Sequence, residues 1–402
     1  MDIISKFKKL GVDNAPGQES RQHTTKLDIR GEKLSGVPID FSHGDVDAFT
    51  PIPGTLDSFV EGVKIGGAQA YTEYRGKGFI LDDLAKKLSD FTGAAIDPAN
   101  EIIATPGTQG ALFLAMGANI ARGDKVAIVE PDYFANRKLV EFFDGELVPI
   151  QMEYTKYTDR AGLDLAALEE SFKNGVKLFL YSNPNNPTGS IYSEEEVKSI
   201  GKLGKEYGVT VIADELYSRQ IFDGRKYTHL RNQEIVPDNL VTIIGPSKTE
   251  SLSGYRLGVA FGSAAIIERM EKLQAIVSLR CSGYNQAVFK NWFNEPEGWM
   301  EERIKQHQAI RDDLLEKLRA VDGIEARTTE GGSYLFVTLP ELEISMSDFI
   351  KVLRIQAEVT VTPGTEFGPQ FTNSFRINFS QDHKASVAAI ERLIKLMELY
   401  RK

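Results

Sequence analysis

Between residues 101 and 244 the chain repeats one pattern: a short, unbroken apolar run, then a helical stretch. The runs are Glu101–Thr105, Lys125–Val129, Lys177–Tyr181, Val209–Ala213 and Leu240–Ile244. A strand with one solvated face alternates apolar and polar residues; a run without alternation must be covered on both faces. Strands of this kind separated by helices build a mostly parallel sheet between two helical layers. The helical stretches carry their own signals. Ile80, Leu81, Leu84, Leu88 and Phe91 recur at helical spacing and Gly93 follows as a stop. Ser193 and Glu196 form a capping box ahead of Val197, Ile200, Leu203 and Tyr207. The expected fold class is therefore α/β, a three-layer α/β/α large domain.

The last third changes style. An amphipathic helix is expected over 297–320, strands over Ser333–Leu339 and Phe375–Phe379, and a closing helix through Val387, Ile390, Ile394 and Met397. This reads as a smaller α+β domain. Residues 11–35 are polar and read as an extended arm wrapping a partner subunit. The first 50 residues are too few to fold alone and join the small domain. The expected division is 1–50 (arm and part of the small domain), 51–290 (large domain) and 291–402 (small domain). A net charge of −10 without an offsetting basic run argues against a nucleic-acid partner. One cysteine and five histidines, none paired at metal-ligand spacing, argue against a disulfide framework or a metal site. No apolar run is long enough to span a membrane, and the N-terminus has no secretory core. A cytoplasmic protein is expected.

Ligands of open α/β sheets sit beyond the carboxyl ends of the strands, and four motifs stand there. Thr105–Gly110 (TPGTQG) follows the first run and opens a helix. Free N–H groups at Gly107, Thr108 and Gln109, a hydroxyl and a glycine make an anion cradle; an ordinary glycine-containing turn has the same composition. Asn183–Gly189 (NPNNPTG) has two prolines that stiffen the backbone around Asn186; a plain turn is the alternative. Asp214 ends an apolar strand, where its carboxylate needs a cationic partner unless it only caps the next turn, and Tyr217 follows three residues later. Finally, Gly245–Gly258 (GPSKTESLSGYRLG) sets Lys248 just past a buried strand and Arg256 eight residues on. A solvated loop would also hold these two cations, but Arg256 offers a fork suited to a phosphate.

Together these motifs resemble the pyridoxal-phosphate enzymes of fold type I, and within them the class I/II aminotransferases, over roughly residues 40–380. The resemblance implies pyridoxal 5'-phosphate as cofactor, amino acids and 2-oxo acids as substrates, and a homodimer. It implies that Lys248 forms a Schiff base with the cofactor and later moves the Cα proton. Asp214 would keep the pyridine nitrogen protonated, while Asn186 and Tyr217 face the ring's O3′. Gly107, Thr108, Gln109, Ser247 and Arg256 would take the phosphate, and Tyr133, in Glu130–Phe134 (EPDYF), would stack on the ring. Three further positions carry over by resemblance alone: Gly44 beside the substrate carboxylate, Tyr71 reaching the neighbouring subunit's phosphate, and Arg376 gripping the α-carboxylate.

The chain departs from the family pattern at two positions. Gly245 stands where a serine or threonine is common, and Glu250 where an aromatic is usual. The first removes a phosphate hydroxyl that Ser247 or Thr108 would replace. The second puts a carboxylate near the site and suggests a basic or polar substrate side chain. Arg280 lies near where relatives present an arginine to acidic substrates, but two residues out of register. A lyase, decarboxylase, racemase or oxidase would use the same fold and lysine. A cofactor-binding regulatory domain joined to a DNA-binding unit is disfavoured by the acidic charge.

Overall fold

The computed structural model describes residues 2–11, 27–43, 48–66 and 71–402. Its centre is a seven-stranded sheet of β1 (Ile102–Pro106), β2 (Lys125–Glu130), β3 (Glu146–Gln151), β4 (Val176–Ser182), β5 (Thr210–Asp214), β6 (Leu240–Ile244) and β7 (Leu257–Gly262). The strand order is β1-β7-β6-β5-β4-β2-β3. The pairs from β6 through β5, β4 and β2 to β3 are parallel, whereas β7 runs antiparallel between β1 and β6.

The five expected strands are all present, and β3 and β7 add to them. Pro149 breaks the apolar run of β3, and proline in a sheet is confined to places such as an edge, which β3 occupies. In β7, Gly258 and Gly262 dilute the pattern. Gly258 is there for closeness: a Cβ would lie 2.3 Å from the carbonyl carbon of Gly107, so β7 passes directly beneath the start of helix Gly107–Gly117.

Alternate residues of each central strand serve opposite faces. Ala127, Val129, Phe179, Tyr181, Val211 and Ala213 pack with Leu168, Phe172, Val197 and Ile200 of helices Leu165–Lys173 and Glu194–Tyr207. Val126, Ile128, Leu178, Leu180 and Ile212 pack with residues of helices Gly107–Gly117, Phe134–Phe142 and Ala264–Val277. Both faces are thus covered, in the three layers expected. The capping box is formed as read: Ser193 Oγ accepts from the Glu196 N–H and the Glu196 carboxylate accepts from Ser193 N–H.

The C-terminal part carries an antiparallel sheet of β8 (Glu325–Ala326), β9 (Tyr334–Thr338), β10 (Thr362–Pro363) and β11 (Ser374–Asn378), in the order β10-β11-β9-β8. Helices Trp299–Arg319, Met346–Ala357 and His383–Glu398 share one core with it. Ile39–Asp40 pairs in parallel with Val359–Thr360 and brings Phe41 into that core. Helix Ile3–Leu10 lies instead against Phe134–Phe142, through Lys6–Asp144 and Lys9–Glu141 ion pairs. Most of the expected arm, residues 12–26, falls outside the described residues, as does Gly44. Among the described residues no helix is long and apolar enough to cross a membrane, and no cluster of acidic, histidine and cysteine side chains is arranged to hold a metal.

Candidate active site

A cleft of about 240 Å³ opens at the carboxyl ends of the parallel strands, between the large sheet and β9 and β11. Its lining gathers Thr108, Gln109, Tyr133, Asn186, Asp214, Tyr217, Ser247, Lys248, Arg256 and Arg376. These residues come from separate stretches of chain, so folding alone makes them neighbours.

The phosphate-sized end is built around Gly107. Helix Gly107–Gly117 begins without a side-chain cap, leaving its first N–H groups for another acceptor. Gly107 has φ +77°, and a Cβ there would lie 2.4 Å from Arg256 Nη2. Arg256, itself in the left-handed region at φ 52°, therefore rests its guanidinium on this glycine, held by an Nη1 bond to Ser253 O at 3.0 Å. A side chain at Gly245 would meet Thr108 Cγ2 at 2.8 Å and Leu257 O at 3.0 Å. Thr108 thus fills the space that the departure at Gly245 leaves.

Asp214 closes β5 in the middle of the sheet. Burial pushes its carboxyl up to about 6, with Glu215 adding to the rise and the Leu216 N–H opposing it. Among the described residues no cation pairs with it. Beside it, Asp132 is pushed up to about 7, first by burial and in part by Asp214, although Ser182 N–H (3.0 Å), Ser182 Oγ–H and Tyr133 N–H (2.6 Å) all donate to it. The Ser182 hydroxyl in turn accepts from Asn186 N–H at 3.1 Å, and Asn186 Oδ1 accepts from Arg376 Nη1 at 3.0 Å.

Arg376 is buried on β11, where Nη2 donates to Ser42 O at 2.8 Å and the guanidinium lies 4.2 Å from the Tyr334 ring centre. Among the described residues its Nε has no partner and no carboxylate neutralises it. Tyr217 donates to Tyr334 Oη at 2.7 Å, and burial raises its hydroxyl well above the ordinary value. Tyr133 donates to Gln109 Oε1 at 3.0 Å.

Three residues weighed from the sequence lie outside this cleft. Tyr71 does not line the cleft: it is 77% exposed, with the Arg280 guanidinium 4.4 Å from its ring centre. Arg280 is likewise outside the cleft, and its Nε donates to Thr72 O. Glu250 is buried against Arg219 and Trp292, neither of which lines the cleft, so it is not a carboxylate awaiting a basic substrate. Sequence reasoning passed over Asp132, Ser182, His43 and Tyr334. Ser182 was the legible one, as the last residue of a buried strand directly before Asn183. Tyr334 lies on β9 of the smaller sheet, and no local pattern marks it.

The family model for aminotransferase class I and II matches residues 38–393. A crystal structure of an aspartate aminotransferase from Rhodobacter sphaeroides is similar over all of both chains, with 59% identity and a TM-score of 0.94. The aspartate aminotransferase of Sulfurisphaera tokodaii is 27% identical over 380 residues, 92% of each chain. An aromatic aminotransferase from Pyrococcus horikoshii, 22% identical, shares the fold at a TM-score of 0.83 over 91% of this chain and 97% of that one.

Proposed function

Because this chain belongs to the aminotransferase class I and II family, whose members of this fold use pyridoxal phosphate, we propose that its cleft binds that cofactor through the residues gathered there. The chain is an aminotransferase, acting on amino acids and 2-oxo acids. The observation that carries the cofactor reading is Asp214: a half-buried carboxylate lining the cleft, with no cation paired to it among the described residues, fits a protonated pyridine nitrogen. The uncapped helix start and Arg256 fit a phosphate at the other end.

When bound, the cofactor supplies an aldehyde for an amine and a ring that takes up electrons released at the substrate Cα. The chain's residues do the rest. Lys248 is the residue that would hold the aldehyde, and its Nζ would carry the proton at the substrate Cα. Asp214 would hold the proton on the ring nitrogen. Gly107, Thr108, Gln109, Ser247 and Arg256 would hold the phosphate, Tyr133 would lie against the ring, and Asn186 and Tyr217 would orient its phenolic oxygen. Arg376, fixed by Asn186 and Ser42 and without a carboxylate partner among the described residues, would take the α-carboxylate of the substrate. Arg376→Ala should raise KM by a similar factor for every amino acid, about ten- to a hundredfold for loss of a charge-assisted contact. A selective effect on one substrate would instead make it a side-chain reader.

Aspartate is the first substrate to test, since the 59% identical relative carries that name. Purified enzyme mixed with single amino acids, without an oxo acid, should release one equivalent of oxo acid, fastest from aspartate. Catalytic release of ammonia, CO₂ or peroxide would instead mean that the same lysine serves another reaction class.

The same reading makes the enzyme a homodimer. Tyr71 stands beside an exposed apolar stretch of Ile276 (81%), Val277 and Leu279, the kind of surface a second chain covers. From there Tyr71 would reach the phosphate in the partner's cleft. Light scattering should give twice the 44.6 kDa chain mass or a multiple; a fully active monomer would remove both the dimer and this role for Tyr71. With its single cysteine buried and unbridged, we also assign the enzyme to the cytoplasm.

A further inference from the structure

Lys248 and Tyr217 stand on irregular segments, without a strand ladder or helix to fix them. Their neighbours tie the two segments together. Two residues after Tyr217, Arg219 Nη1 donates to Oε1 of Glu250, two residues after Lys248, at 2.6 Å. One residue nearer Lys248 and one farther from Tyr217, Thr249 Oγ1 donates to Gln220 Oε1 at 3.4 Å. Arg219 also bonds Glu295 and lies 4.0 Å from the Phe293 ring centre, and Trp292 Nε1 donates to Glu250 at 3.2 Å. Behind the lysine, Arg303 Nη1 donates to Thr249 O (3.0 Å) and Ser251 Oγ (2.8 Å), holding a turn whose Ser251 sits at φ 58°. Glu250 is only 1% exposed, and burial raises its carboxyl while Arg219 lowers it.

A hydrophobic pair of equal volume would fill such a space at similar stability. What an ion pair adds is a fixed distance and direction between two loops. We propose that Arg219 and Glu250 are positioning residues that hold Tyr217 and Lys248 in register at the cleft, an inference that rests on the cofactor roles given above to those two residues. Glu250 is then the reason the chain departs from the family's aromatic there: its partner is Arg219, not the substrate.

Three variants test this. Glu250→Met removes the tie yet leaves Arg219 paired with Glu295, so no buried cation is stranded. Arg219→Lys keeps the charge but loses the fork that bridges two carboxylates. Glu250→Gln keeps an acceptor for Arg219 and Trp292. Two quantities are read: steady-state kinetics of the holoenzyme, and the rate at which cofactor added to apoprotein becomes fixed to Lys248 by borohydride. Misplacement by a fraction of an ångström to 1 Å should lower kcat by about ten- to a hundredfold in the Met and Lys variants. Capture should slow in parallel, KM for the amino acid should stay within about threefold because Arg376 is untouched, and Glu250→Gln should recover most of both rates. Wild-type rates in both impaired variants would overturn the proposal, as would losses in kcat that merely follow Tm in all three. If wild-type cofactor is fixed to another lysine, the cofactor reading itself fails, and the inference with it.

Discussion

Lys248→Ala should lower kcat/KM by on the order of 10⁴-fold, the upper range for removing a positioned proton-transfer group, while leaving the protein folded and able to hold pyridoxal phosphate. The two halves of this expectation have separate causes. Covalent capture and proton movement both need Nζ, and among the described residues no other lysine lines the cleft. Retention needs the phosphate cradle at Gly107 with Arg256 and the carboxylate of Asp214, none of which depends on Lys248. Half-exposed at the cleft, the lysine also contributes little to either core. Borohydride reduction followed by peptide mapping should find wild-type cofactor on Lys248 and none fixed to the variant, whereas dialysis should show cofactor still bound. A variant that remains active, or one that loses all affinity for the cofactor, would mean that another group does this chemistry.

That Lys248 could be singled out from sequence owes most to strand-end logic. Asn186, Asp214 and Lys248 each follow a run whose apolar residues are now seen on both faces of the sheet, and a polar residue at such an end has the cleft as its outlet. The same logic located Ser193 and Glu196, because a capping box is a local contract between residues three apart. It failed wherever the partner was distant. Glu250 was readable as an anomaly, but Arg219 lies 31 positions away and Trp292 lies 42, so its neutralisation was invisible. Tyr334 meets Tyr217 across 117 positions. Strand β7 was hidden for a different reason: the feature that lets it pass under helix Gly107–Gly117, the absence of a side chain at Gly258, is the same feature that weakens its strand signal. Gly245 was read as a lost hydroxyl; the packing of Thr108 into its place needs the fold to be seen.

Asp214→Asn should separate stability from function in opposite directions. A carboxyl whose value rises from 3.8 to about 6 on folding favours the folded state while protonated. That contribution is complete below about pH 4 and is lost as pH rises through about 6, a difference on the order of 3 kcal/mol for the apoprotein. Asparagine cannot ionise, so apo Asp214→Asn should melt at the same temperature as wild type near pH 4 and higher than wild type at pH 7–8. Asp132, pushed up to about 7 by its own burial, sheds stability in a similar window, but it is present in both proteins, and the difference between their melting curves reports chiefly on Asp214. Adding pyridoxal phosphate should reverse the order, because a ring cation repays the buried carboxylate only in wild type. The loaded variant, with nothing to hold the proton on the ring nitrogen, should lose on the order of 10²–10³-fold in kcat, the scale for removing one preorganised charge from an active site. The measurement is a pair of melting curves against pH, with and without cofactor, beside the rate of oxo acid release. If the apo variant is no more stable than wild type at pH 8, Asp214 is already paired within the chain. It would then have no unmet charge to offer a pyridine nitrogen.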